Sequence, residues 1–123
     1  MLKALRHVVY AAGYSMAGLV YMMRSEIAAR SEVVAVALAI LWLAVLGRPI
    51  SNYLVLLMLA CILFAVEAVN TAIEVLVDRL SPEQSNFAKI VKDLGSTAVF
   101  FLLAASGLYL AAVTAEAFGI ISL

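Results

Sequence analysis

The stretch PISNYLVLLMLACILFAVEAVNTAIEVLVDR, residues 49–79, decides the fold. Its first part, residues 49–66, contains no charged residue. A helix needs about 20 mostly apolar residues to cross the hydrocarbon core of a bilayer, and this run reaches that length when it continues past Glu67. The segment therefore predicts a membrane-spanning helix whose last turns carry acidic and amide side chains.

The composition of the whole chain supports a membrane protein. Of 123 residues, 67% are hydrophobic and only 13% are charged, whereas soluble domains have about 45–50% apolar and about 25% charged residues. A soluble fold of this size cannot bury so much apolar surface, because small domains expose a large share of their area. Eight basic and eight acidic residues give no net charge, so nothing indicates a nucleic-acid partner.

Two further uncharged windows, residues 33–47 and 94–115, complete the predicted topology. The second window is long enough to span a membrane by itself, and the first needs residues from its amino-terminal side. We expect a single all-α membrane domain over residues 1–123. Its three spanning helices should cover about 31–47, 50–78 and 93–118, with the stretch SPEQSNF at residues 81–87 as a loop.

Residues 1–30 are too polar to span a membrane, yet their apolar residues recur at helical spacing. These are Leu5, Val8, Val9, Ala12, Met16, Leu19 and Met23. The pattern predicts an amphipathic surface helix lying in the membrane interface, with a break near Gly13.

Lys and Arg residues predict the orientation of the chain. Seven of the eight lie on one side of the membrane if the N-terminus is cytoplasmic, and only Arg48 lies on the other side. Cytoplasmic loops carry an excess of Lys and Arg. We therefore expect a cytoplasmic N-terminus and a C-terminus outside.

A polar stripe follows the second spanning helix. Glu67, Asn70, Glu74 and Asp78 are spaced 3, 4 and 4 residues apart, which places them on one helical face. A carboxylate at membrane depth is costly and marks a functional site by default. The alternative is that these groups bond neighbouring helices or mark the water boundary, which suits Asp78 better than Glu67 or Asn70.

Other charges can join this stripe from elsewhere in the chain. Glu26 lies in the surface segment, and Lys92 and Asp93 begin the third spanning helix. Mg²⁺ typically takes one or two carboxylates plus substrate phosphates, and a lysine can hold a phosphate as a point charge. Considered without the stripe, Glu26 and Arg30 are typical of a surface ion pair. Lys92–Asp93 alone is typical of a snorkelling helix cap. The chain has no phosphate-binding loop, no HExxH and no GxSxG motif.

Four stretches of the chain resemble a known family in order and spacing. They are AAGYSMAGL (residues 11–19), SEIAARSE (25–32), EAVNTAIEVLVDR (67–79) and KDLGSTAV (92–99), and together they resemble the bacterial integral-membrane diacylglycerol kinases. The resemblance implies ATP-dependent phosphorylation of the primary hydroxyl of diacylglycerol to phosphatidic acid. It also implies a Mg²⁺ requirement, a homotrimer with active sites between subunits, and a location in the bacterial cytoplasmic membrane.

Matching positions carry the roles that the resemblance implies. Glu67 matches the general base, and Glu26 and Glu74 match the metal-binding carboxylates. Asn70 and Glu32 match polar residues of the substrate site. The positions that match nucleotide-binding residues are Arg6, Tyr14, Ser15, Glu74, Asp78, Glu83, Lys92 and Asp93.

The chain also departs from the family pattern. Residues 83–91 lack the His and the basic pair that the family usually carries there, and His7 stands where the family has an arginine, with Arg6 beside it. Two alternatives stay open at this stage. One is the related kinase that phosphorylates undecaprenol, and the other is a non-catalytic trimeric scaffold or an ion conduit lined by Glu67, Asn70 and Glu74.

Overall fold

A computed structural model of the protein describes residues 1–122, which form four helices. In chain order they are α1 (Leu2–Ser25), α2 (Ile27–Val45), α3 (Ile50–Leu80) and α4 (Asn86–Ala117). Three of them, α2, α3 and α4, are long and apolar enough to cross a membrane. The prediction of an all-α chain with three such helices is confirmed.

The break between the surface helix and the first apolar helix lies at Glu26. This residue has φ −106° and ψ 120°, an extended conformation that ends α1 and precedes α2. The predicted break near Gly13 is wrong, because α1 runs through Gly13 and Gly18 without interruption. A helical glycine costs only about 1 kcal/mol relative to alanine, and the neighbouring alanines favour the helix. The first apolar helix consequently begins at Ile27, four residues before its predicted start.

Helix α4 also begins earlier than predicted, at Asn86 instead of residue 93. The Ser85 hydroxyl accepts a hydrogen bond from the Ala88 N–H at 3.1 Å, which satisfies one of the free donors of the first turn. Ser85 is fixed in turn by a 2.8 Å hydrogen bond between its hydroxyl and that of Ser81. Phe87 is therefore helical, and the loop is confined to residues 81–85.

A tight turn joins α2 to α3 at the opposite end of the bundle. Gly47 has φ +61°, a conformation that residues with a Cβ rarely adopt. The Arg48 N–H donates to the Leu43 carbonyl at 3.0 Å, which closes the last turn of α2. Helix α3 follows Pro49 directly.

The apolar core lies in the half of the bundle near this turn. Leu43 of α2 and Val113 of α4 are fully buried, and Ala39 and Leu56 complete the cluster. The side chains of Ile40, Tyr53, Tyr109 and Leu110 pack against it. Apolar contacts between α2, α3 and α4 therefore fix the end of the bundle that lies away from the loop at residues 81–85.

A polar cluster, here called the turn clasp, reinforces the same end. It consists of Arg48, Asn52, Tyr109 and Glu116. The Arg48 guanidinium forms an ion pair with Glu116, and its Nε donates to Asn52 Oδ1 at 3.1 Å. The Tyr109 hydroxyl accepts from Asn52 Nδ2 at 3.0 Å and donates to the Asn52 carbonyl at 2.9 Å. The clasp ties the first turn of α3 to the last turns of α4.

Candidate active site

The polar stripe of α3 changes from buried to exposed along the helix. Glu67 and Asn70 are 3% and 8% exposed, Glu74 is partly exposed, and Asp78 is exposed. The sequence prediction placed Glu67 deepest and Asp78 nearest to water, and the structure shows this gradient. Polar side chains are thus buried at the level of Glu67 and open to solvent at the level of Asp78.

Carboxylates from three parts of the chain surround Glu67. Glu32 reaches it from α2 and is only 6% exposed. Glu26, at the junction of α1 and α2, and Glu74, two turns further along α3, are close enough for their charges to act on Glu67. Glu32 and Glu67 also interact electrostatically with each other. The extended backbone of Glu26 is what separates α1 from α2 at this level of the bundle.

This acidic cluster, formed by Glu26, Glu32, Glu67 and Glu74, leaves polar atoms without partners. One carboxylate oxygen of Glu32 is buried and accepts no hydrogen bond, and the Thr71 hydroxyl is likewise unpaired. Asn70 donates through Nδ2 to Glu74 Oε1 at 3.2 Å, but its Oδ1 has no donor. Unpaired buried polar groups cost free energy, so each of these three atoms would be stabilised by a polar partner.

The lysine of the predicted site lies nearer to water than the buried carboxylates. Lys92 Nζ of α4 donates to Asp78 Oδ1 of α3 at 2.6 Å. Asp78 is thus the member of the polar stripe that lies level with Lys92 across the α3–α4 contact. Asp93 instead pairs with Lys89 of its own helix at 2.5 Å.

A cavity of about 550 Å³ lies beside this ion pair. Asp78 and Lys92 line it from the two helices, and Glu83 lines it from the loop, together with Ser81, Pro82 and Ser85. Three of the residues that the sequence assigned to nucleotide binding therefore share one cavity. The loop and the first turns of α4 supply the other lining residues of the cavity.

The residues predicted on α1 are not brought into this site. Tyr14 is 75% exposed, and Arg6 and Ser15 are exposed as well. Arg6 lines a separate cavity of about 250 Å³ together with Lys3, His7 and Tyr10. Within residues 1–122, no hydrogen bond or ion pair joins these α1 side chains to the acidic cluster.

Two residues of the site were missed from the sequence. Thr71 follows Asn70 and is 5% exposed, but nothing in its sequence context distinguishes it from a lipid-facing threonine. Gly95 of α4 lies against the Asn70 amide. The sequence could have indicated Gly95 through the run of small residues at 95–98, which favours close helix packing. The run does not show which residue of another helix lies against Gly95.

The donor set can be compared with what a divalent cation requires. Among residues 1–122 there is no group of three or more His, Cys, Asp or Glu side chains arranged to hold a metal ion. Glu26 and Glu74 supply two carboxylates beside Glu67. Mg²⁺ is commonly bound by one or two carboxylates, with phosphate and water oxygens as the remaining ligands. Two carboxylates are the type and number of protein ligands that Mg²⁺ takes when phosphate and water oxygens supply the rest.

Comparison with known proteins identifies the family of the chain. Residues 13–114 match the family described as prokaryotic diacylglycerol kinase. The chain is 41% identical over 109 residues to a diacylglycerol kinase of Sinorhizobium, covering 89% of this chain and 79% of that protein. It is 36% identical to the enzyme of that name from Pseudomonas aeruginosa, over 80% of each chain. It is 35% identical to that of Escherichia coli K12, over 78% of this chain and 79% of the relative. The chain belongs to the prokaryotic diacylglycerol kinase family.

Proposed function

We propose that the protein transfers the γ-phosphoryl group of ATP to the primary hydroxyl of diacylglycerol, forming phosphatidic acid and ADP at the cytoplasmic face of the membrane. One observation carries this proposal. Helix α3 contributes Glu67 and Glu74 to the buried acidic cluster and Asp78 to the cavity beside Lys92, so the two features are joined along one helix. Glu67 and Asp78 are separated by eleven residues, about 16 Å along the helix axis. A lipid hydroxyl from the bilayer and a polyphosphate from the water can therefore meet between them.

Glu67 is the proposed general base. Its carboxylate takes the proton of the lipid hydroxyl while the hydroxyl oxygen forms a bond to the γ-phosphorus of ATP. The bond between that phosphorus and the bridging oxygen breaks, and ADP leaves with the bonding electrons. Asn70 and Glu32 are the polar groups beside Glu67. The unpaired Glu32 Oε2 is available to orient a hydroxyl, whereas the Asn70 amide is engaged with Glu74 through Nδ2 and packs against Gly95 through Oδ1.

The nucleotide is proposed to occupy the cavity lined by Asp78, Glu83 and Lys92. Phosphoryl transfer depends mainly on positioning and on neutralising charge. The Lys92–Asp78 pair is exposed, and an exposed ion pair contributes at most about 1 kcal/mol. Lys92 can therefore exchange Asp78 for a phosphate oxygen at little cost. Asp93 lies one residue further along α4. We propose that Glu83, which lines the cavity from the loop, contacts the nucleoside.

Mg²⁺ is the proposed cofactor, and Glu26 and Glu74 are the residues that would hold it. When bound, it neutralises charge on the β- and γ-phosphates. The hydrogen bond from Asn70 to Glu74 Oε1 fixes one oxygen of that carboxylate and leaves the other oxygen for the metal. Glu26 is held apart from the regular helices by its extended backbone, which leaves its side chain free to reach the same ion.

The remaining predictions concern assembly and orientation. Helix α1 buries only Met22, and its apolar side chains, among them Leu5, Val9 and Leu19, are exposed within the chain. We propose that the face of α1 that carries these apolar side chains lies in the membrane interface. Arg6, Tyr14 and Ser15 would then complete a site shared between neighbouring subunits of a homotrimer. The N-terminus is cytoplasmic, as the Lys and Arg distribution indicates.

The test is transfer of ³²P from labelled MgATP in mixed micelles that contain diacylglycerol or undecaprenol. We expect labelled phosphatidic acid, and its loss on chelation of Mg²⁺. Label only in undecaprenyl phosphate would retain the mechanism and replace the lipid substrate. If the folded protein labels neither lipid while Glu67→Gln behaves identically, the scaffold or conduit alternative takes the place of the kinase.

A further inference from the structure

The Asn70 side chain of α3 packs directly against the backbone of α4 at Gly95. A Cβ atom placed on Gly95 would overlap Asn70 Oδ1 and would lie 3.2 Å from Asn70 Cγ. Real Cβ atoms do not come this close to other atoms, so a side chain at residue 95 requires a shift of the Asn70 amide or of a helix. The other helical glycine of α4, Gly107, has no atom within 4 Å of the same position.

The Asn70 amide is held between Gly95 and Glu74. Its Nδ2 donates to Glu74 Oε1 at 3.2 Å, and its Oδ1 lies on the Gly95 side. An amide turned by 180° would bring its oxygen against the Glu74 carboxylate, which accepts hydrogen bonds and cannot donate one when ionised. The amide therefore has one favourable orientation, and that orientation requires the space where Gly95 has no side chain.

We propose that Gly95 is a positioning residue for the metal-binding carboxylate Glu74, acting through Asn70. The inference rests on the proposed function, because it assigns Glu74 to Mg²⁺. Gly95 contacts neither substrate in this scheme. It leaves room for the Asn70 amide, and the amide fixes the Glu74 carboxylate through Oε1. Any larger residue at position 95 displaces the amide, releases Glu74 and weakens the binding of MgATP without altering the lipid end of the site.

Four variants test this: Gly95→Ala, Gly107→Ala, Asn70→Ala and the double variant Asn70→Ala/Gly95→Ala. Both glycine substitutions add a methyl group to α4 and raise its helix propensity equally, so Gly107→Ala is the matched control. For Gly95→Ala we expect at least a tenfold rise in KM for MgATP and in half-saturating Mg²⁺, with KM for diacylglycerol within twofold of the parent. For Gly107→Ala, the KM for MgATP, the half-saturating Mg²⁺ concentration and the KM for diacylglycerol should all stay within twofold of the parent.

The double variant distinguishes an effect that acts through the Asn70 amide from a general effect of the added methyl group on helix packing. Without the Asn70 side chain the added methyl group meets no amide, so the double variant should match Asn70→Ala within twofold. A Gly95→Ala effect of equal size in both backgrounds would overturn the inference. If Gly95→Ala does not fold, folding of the double variant supports the overlap, and its failure to fold as well overturns it.

A readout independent of turnover keeps this inference distinct from the proposed function. Binding of Mn²⁺ together with a non-hydrolysable ATP analogue is followed by electron paramagnetic resonance in the same four proteins. A parent that forms no phosphatidic acid contradicts the kinase activity. In that case weaker Mn²⁺ binding by Gly95→Ala alone still supports the positioning role, and equal binding by the parent, Gly95→Ala and Gly107→Ala refutes it.

Discussion

Lys92 Nζ lies 2.6 Å from Asp78 Oδ1, so the lysine of α4 is held by the outermost acidic residue of the α3 stripe. Glu67, eleven residues earlier on α3, is buried among carboxylates and has no lysine beside it. Lys92 and the buried Glu67 therefore lie at different heights along α3, and the space between them is where the γ-phosphate would be transferred.

Replacing Lys92 with alanine should impair nucleotide use far more than stability. A contact between an ammonium group and phosphate contributes to transition-state binding, whereas the exposed pair with Asp78 contributes at most about 1 kcal/mol to folding. We expect kcat/KM for MgATP to fall by roughly 100-fold, equivalent to about 2.7 kcal/mol. Asp78→Asn removes the pair but keeps the lysine, and its loss should be under tenfold. Equal losses in the two variants would show that Lys92 acts only through Asp78.

Glu67→Gln should abolish turnover while the protein stays folded. Glutamine keeps the size of the side chain but cannot accept the hydroxyl proton, and loss of a general base lowers rates by about 10²–10⁴-fold. The substitution also removes one charge from a cluster of like charges, so the unfolding temperature should equal or exceed that of the parent. The measurements are phosphatidic acid formation, MgATP binding and thermal unfolding in micelles. Turnover at the parent rate would remove Glu67 from the mechanism.

Glu74→Gln and Glu26→Gln should each raise the Mg²⁺ requirement. Each variant loses one of the two anionic ligands proposed for the ion, while the phosphates and Lys92 stay in place. We expect the half-saturating Mg²⁺ concentration at fixed ATP to rise by about tenfold, equivalent to roughly 1.4 kcal/mol. Glu116→Gln is the matched comparison, because Glu116 pairs with Arg48 at the opposite end of the bundle instead of joining the acidic cluster. An unchanged Mg²⁺ dependence in both glutamine variants would contradict the metal assignment.

Tyr109→Phe should weaken the fold without affecting catalysis. The substitution removes two hydrogen bonds to Asn52 in the turn clasp, one accepted and one donated by the hydroxyl. Hydrogen bonds between membrane helices contribute about 0.6 kcal/mol each on average, so the free energy of unfolding should fall by about 1 kcal/mol. Unfolding in mixed micelles measures this change. Because the clasp lies at the end of the bundle away from the acidic cluster, KM for MgATP should not change.

The sequence predicted the three apolar helices correctly because each apolar run, together with its flanking residues, is about as long as a bilayer demands and contains few charges. It was less accurate at the helix ends. Nothing in residues 86–92 competes with helix formation, yet the polar loop residues before Lys92 suggested a later start. The structure shows that the Ser85 cap sets the beginning of α4. Gly13 suggested a break that did not occur, while the break at Glu26 had no glycine or proline to indicate it.

Spacing along one helix could place Glu67, Asn70, Glu74 and Asp78 on a common face, because the helical repeat fixes that relationship without reference to other elements. It could not decide which residue of another helix meets which member of the stripe. Lys92 lies beside Asp78, since the packing of α4 on α3 sets their relative height.

The sequence by itself determined the number of apolar helices, their order and the polar face of α3, because apolar length and helical periodicity are local properties of the chain. Only the tertiary structure decided that Glu26 and Glu32 join Glu67, that Gly95 makes room for the Asn70 amide, and that Arg48 pairs with Glu116 across 68 residues. Each of these contacts depends on the distance and rotation between two helices. Those quantities are fixed by packing along their whole length, and no single stretch of sequence carries them.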